Sequence, residues 1–129
     1  MTDTVSSFDI IKGPLLLVRN FENQSDGTGE SGVTKIDLST LLNYYKQIPA
    51  SLNILQIKYD CSGMQVQIIA DGSSPKVLQT LSGFGTLDFE QSGGINTANT
   101  GTNSGNVLFT TIGASANDTY NITLRCLIK

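Results

Sequence analysis

The chain predicts an all-β fold: an antiparallel β-sandwich, jelly-roll-like, of about eight strands, with at most one short helix. Three observations carry that prediction. Apolar and polar residues alternate along most segments, the period of a half-buried strand rather than of a helix. Glycine-containing turn signals break the alternation at short intervals. The final segment, YNITLRCLI (120–128), sets five apolar residues at every second position, as a strand packed on a core does.

The elements follow in order. Residues 1–14, MTDTVSSFDIIKGP, have no strong period and read as an N-terminal arm ahead of a single sandwich domain over 15–129. The arm holds Phe8, Ile10 and Ile11, apolar side chains suited to packing on a neighbour. PLLLVRNFE (14–22) is a strand, NQSDGTGESG (23–32) a turn-rich loop, and VTKID (33–37) a short strand. Ser39 is placed to cap a brief helix carrying Leu41, Leu42 and Tyr45, which Pro49 closes.

LNILQIKYD and MQVQIIA alternate on either side of CSG (61–63), the pattern of a β-hairpin. The first of them puts Leu55, Ile57 and Tyr59 on one face, and the second puts Met64, Val66 and Ile68 together. DGSSPK (71–76) turns into VLQTL (77–81), and the segment from Ser82 continues as a strand with Leu87 and Phe89 on one side. Residues 91–106 form a long polar tract. Within it Asn96, Thr97, Asn99, Thr100 and Asn103 are candidates for a recognition tip, or for a segment that orders against a neighbouring subunit. VLFTTI (107–112) is a strand, GASANDT (113–119) a turn, and the final strand follows.

Composition narrows the function. With 129 residues the chain suffices for one domain with one core. It has no His, which removes the commonest general base near neutral pH and the commonest transition-metal ligand. The net charge is −3 and the basic residues are scattered, so the clustered Lys and Arg that neutralise phosphates are missing. The N-terminus lacks a basic leader and its longest apolar run is Leu15 to Val18, so neither export nor membrane insertion is expected. The chain is then made in the cytoplasm, where the sequons at Asn23, Asn117 and Asn121 stay unmodified and Cys61 and Cys126 meet reducing conditions. Whether the two cysteines are bonded is left open.

Three constellations invite chemistry and fall short of it. GTGESGVTK (27–35) nearly matches a phosphate-binding loop, but Val33 stands where the lysine belongs, and a strand follows where a helix is needed. It reads as a flexible glycine turn. Asp88 and Glu90 share a strand face, yet the chain has no Trp and little aromatic surface to line a sugar cleft. Asp60, Asp71 and Asp118 sit at strand ends, where Asp usually bonds its own backbone rather than calcium. No catalytic, cofactor or metal residue is assigned, and no small-molecule substrate, nucleic acid or membrane partner is expected.

Several stretches carry a resemblance. They are the Tyr59-Asp60 strand end, the glycine turn at Gly63, Leu81-Ser82-Gly83-Phe84-Gly85, the strand from Gly105 to Gly113, and the strand opening at Asp118 and running to Leu124. Over roughly residues 33–129 the chain resembles small virion structural proteins of tailed phages, most of all head decoration (cement) proteins. That resemblance implies a β-sandwich on the capsid exterior, a symmetric oligomer such as a trimer, and contacts with the major capsid protein and with copies of itself. The alternative is a neck or tail component, or a host-surface glycan-binding module displayed through the 91–106 loop. The acidic balance suits a position outside a DNA-filled shell.

Overall fold

The structure is a computed structural model that describes residues 4–13, 15–41, 47–49, 51–98 and 105–128. Among these residues there are ten strands: β1 (Thr4–Lys12), β2 (Leu16–Asp26), β3 (Val33–Ile36), β4 (Leu52–Ser62), β5 (Gln65–Ala70), β6 (Lys76–Leu81), β7 (Phe84–Asp88), β8 (Ile95–Asn96), β9 (Val107–Ile112) and β10 (Ala116–Ile128). They form two antiparallel sheets, β1-β2-β10-β4-β7, with β8 also on β4, and β3-β9-β5-β6. Setting aside β1 and the two-residue β8, the remaining eight strands pair as first, eighth, third and sixth in one sheet. The second, seventh, fourth and fifth make the other. That is the connectivity of a jelly roll, so the expected class is the observed one.

In this topology the chain passes from one sheet to the other at most turns, and the residues around Cys61 do so too. β4 pairs with β10, β7 and β8, whereas β5 pairs with β6 and β9, so the hairpin expected across residues 61–63 is not formed. Both strands have an apolar face for the same core. Folding across the sandwich buries both faces against each other, which an in-plane hairpin cannot do. Gly63 makes the crossing with φ +84°, and a Cβ there would collide with the Asp118 carboxylate. The in-sheet hairpins are β1–β2 and β5–β6.

Strict alternation also fails inside β4. The register against β10 shifts between Arg125/Gln56 and Cys126/Ile54, which leaves Leu55 as a bulge. The bulge brings Leu52 and Ile54 to the same buried side as Ile57 and Cys61, where uninterrupted alternation had put Leu55 with Ile57. Near residue 39 the cap is Asp37, whose carboxylate accepts from the Ser39 backbone N–H at 2.9 Å and opens a 3-10 turn at Leu38–Thr40. Leu42 and Tyr45 of the expected helix lie outside the described residues. The segment read as a patternless arm is, from Thr4 to Lys12, an antiparallel partner of β2.

The core lies between the sheets. Leu17 and Phe21 of β2 and Tyr120, Ile122, Leu124, Cys126 and Ile128 of β10 face Ile36, Val66, Ile68, Val107 and Phe109. The alternation read in β10 is therefore its buried face. Phe109 stands edge-on to Phe21 at 5.1 Å and to Tyr120 at 5.8 Å, joining the sheets through three rings. Cys61 and Cys126 are both free and buried. Cys61 lies opposite Tyr120, six residues along β10 from Cys126, a separation of roughly 20 Å at ~3.3 Å per residue. Burial pushes the Cys126 thiol up to about 12, with nearby Arg19 acting the other way, and burial reinforced by Asp60 pushes Cys61 up to about 11.

Candidate interaction surface

The strand register lays out the outer face of the larger sheet row by row. Reading from β1 to β7, one row is Ser6, Glu22, Asn121, Asp60 and Phe84. The next is Phe8, Asn20, Thr123, Lys58 and Thr86, and the third is Ile11, Val18, Arg125, Gln56 and Asp88. The centre of the face is polar and knit together: Asn20 donates to Asn121 Oδ1 at 2.6 Å and to Thr123 Oγ1 at 2.8 Å. Its apolar residues lie at the margins, Phe8, Ile11 and Val18 toward β1 and Phe84 on β7.

β1 forms that side because its own sequence is rich in extended-chain formers, with Thr4, Val5, Ile10 and Ile11 β-branched and Phe8 aromatic. A short connection through Gly13, whose N–H donates to Leu16 O at 2.9 Å, turns it back along β2. Asp9 is opposite Arg19 and forms an ion pair with it. The hydrogen bonds from Arg19 hold the Asp9 carboxyl below the usual carboxylate range, against the opposing effect of its burial. That ion pair draws the acidic charge of β1 toward β2. Phe8 stays 54% exposed and Ile10 56%, with Val5 and Ile11 also exposed. Ile10, Ile11 and Val18 line a shallow hollow of about 320 Å³ that continues to Lys58 and Arg125. No described strand pairs with the outer side of β1.

The three arm residues singled out in the sequence are thus brought together on one free edge. The loop residues are not joined to them. Asn96 belongs to β8, where its amide donates to Asn53 Oδ1 at 2.7 Å and its Oδ1 accepts from the Ala98 N–H at 2.8 Å. Thr97, at 0% exposure, exchanges two bonds with Leu52: its hydroxyl accepts from the Leu52 N–H at 2.9 Å, and its own N–H donates to Leu52 O at 2.8 Å. It is a buried clamp at the base of the loop and offers nothing to a partner, because its polar groups are taken up inside. Asn99, Thr100 and Asn103 lie outside the described residues. Sequence reasoning passed over Val18, which pairs with Ile11 beside the same hollow, Val5, exposed on the other face of β1, and Phe84, 83% exposed on the opposite edge strand β7. The β-branched content of residues 4–11 ahead of Gly13 was the available signal.

The carboxylates that invited chemistry are used structurally. Asp88 Oδ1 accepts from the Glu90 N–H at 2.9 Å, and Glu90 reaches Arg125 at 3.5 Å, so the two do not converge on a common point. Asp118 accepts from the Ser115 N–H at 2.8 Å within its own turn, and Asp71 from Gly72 at 2.9 Å. The near-match to a phosphate loop is neither open nor loose. Its Glu30 points inward, where Oε2 meets Lys35 Nζ at 2.6 Å and Oε1 accepts from the Tyr120 hydroxyl at 2.5 Å. Glu30 and Thr111 join the loop to β9 through reciprocal bonds of 2.8 and 3.0 Å. Gly29 packs so close to Thr111 that a side chain there would clash, at φ +72°. A loop whose carboxylate sits in the core has no cradle for an anion.

No protein-family model and no curated protein sequence matches this chain.

Proposed function

We propose that this chain is a structural virion protein of a tailed phage, a capsid decoration protein that stabilises the head by seating against neighbouring capsid subunits and copies of itself. The observation that carries the reading is the β1 edge: nine extended residues with Phe8, Ile10 and Ile11 in solvent. Isolated soluble domains blunt such edges, because an open row of backbone groups beside apolar side chains recruits another chain. The jelly roll is compatible with the reading and does not choose it, since capsid, lectin and enzyme domains all use that architecture. The sequence resemblance and the acidic balance add to it.

The test is binding to purified heads that lack this chain, measured by co-sedimentation. Removing residues 1–12 would leave β2 without its antiparallel partner, so point changes are the cleaner probe. Ile10→Asp combined with Ile11→Asp leaves the folded domain intact and is expected to weaken head binding at least tenfold. Unchanged binding by this variant, or saccharide binding lost on deleting 99–104 alone, contradicts the proposal. That deletion spares Asn96 and Thr97, which hold the fold together.

A further inference from the structure

We infer that β1 pairs antiparallel with β1 of a second copy, across a twofold axis beside Phe8, to make one continuous sheet. The inference rests on the reading of β1 as a contact edge and names its occupant. Five of the described strands are paired on one side only, and the other four are short: β3 has four residues, β6 six, β7 five and β8 two, against nine in β1. β1 carries one register shift, at Ile10, and pairs without interruption from Thr4 to Asp9. A partner for β1 must be another extended, weakly charged, apolar edge, and the chain itself presents one.

Charge selects the register. When two identical antiparallel strands are related by a twofold axis, one residue lies opposite its own copy. An axis at Asp9 would set two carboxylates against each other, which destabilises a directly opposed pair. An axis at Ser7 would put each Asp9 opposite Val5 and separate the aromatic rings. An axis at Phe8 puts ring beside ring, Ser7 opposite Asp9, and Ser6 level with the Ile10–Ile11 irregularity, with no like charges opposed. The arrangement is a twofold pair, where the resemblance implied a trimer. A contact made through one nine-residue strand is small beside the ~800 Å² per partner typical of a stable interface, so the pair is expected at high local concentration, as on a shell.

The full chain with Phe8→Cys tests this, because Cys61 and Cys126 are buried and slow to react. Under mild oxidation Phe8→Cys is expected to give a covalent dimer at least tenfold faster than Ser6→Cys, whose position faces Ile10 in this register. Phe8→Lys, which opposes two ammonium groups, is expected to abolish the dimer seen by sedimentation equilibrium. Equal cross-linking rates, or a wild-type chain that stays monomeric at its solubility limit, overturn the pairing. A chain that remains monomeric yet binds heads defeats this inference and leaves the decoration role standing; a dimer that ignores heads supports the pairing and defeats that role.

Discussion

Replacing Lys35 by Met is expected to lower stability by about 3–5 kcal/mol, the cost of leaving one member of a buried ion pair without the other. The Lys35 and Glu30 side chains are only 6% and 5% exposed. Lys35 Nζ lies 5.9 Å from the ring centres of both Phe109 and Tyr120. Water cannot reach Glu30 to compensate, so the carboxylate is left among aromatic rings with only the Tyr120 hydroxyl, and the loop over residues 27–32 is the first part to loosen. Glu30→Gln together with Lys35→Met should recover most of the loss. It removes both charges while the amide oxygen still accepts from Tyr120. Urea denaturation of the two variants measures the difference; a single-variant cost below ~1 kcal/mol would place the pair in the class of solvent-screened surface contacts.

Phe109→Ala is expected to cost a similar ~3–5 kcal/mol, by a different route. Phe109 is fully buried and is the middle ring of the three, so truncation removes its apolar burial and both edge-on ring contacts. The hole opens between sheets whose neighbouring backbone is fixed by pairing on both sides, since β9 lies between β3 and β5. That leaves little freedom to collapse into it. A shift of the urea midpoint at unchanged slope is the expected signature. Phe84→Ala, on an exposed ring at the sheet edge, is the matched control and should change stability by less than ~0.5 kcal/mol.

Much of this architecture was legible in the residues, and the limits have physical causes. The alternation of Tyr120 to Ile128 gave the buried face of β10 directly, because an unbulged strand with one wet face keeps period two. The same rule misassigned β4, where the bulge at Leu55 inverts the faces partway along. It could not say whether Gly63 turns a strand within its sheet or across the core, since either path leaves the same alternation on both sides. Strict alternation would set Lys35 on the face of Val33, but the register shift between Thr34 and Ile36 turns it inward to Glu30.

The candidate surface was visible in part. Phe8, Ile10 and Ile11 were picked out as apolar residues without an obvious core to join, and they stand exposed together. That they belong to a paired strand was hidden by the Ile10 irregularity and by Asp9, whose charge breaks the pattern until Arg19 is seen opposite it. Thr97 misled in the other direction. A threonine in a polar tract reads as surface, and nothing local shows that it closes backbone bonds with Leu52, forty-five positions earlier in the chain.

The central idea is that this molecule acts by seating β1 against another protein. Hydrogen–deuterium exchange, compared between the free chain and the chain bound to heads, interrogates that edge residue by residue. Slowed exchange at the backbone amides of residues 5–11 on binding, with the interior of β10 equally protected in both states, is the expected result. Unaltered exchange along β1, with new protection confined to the segment around residues 95–98, would contradict it.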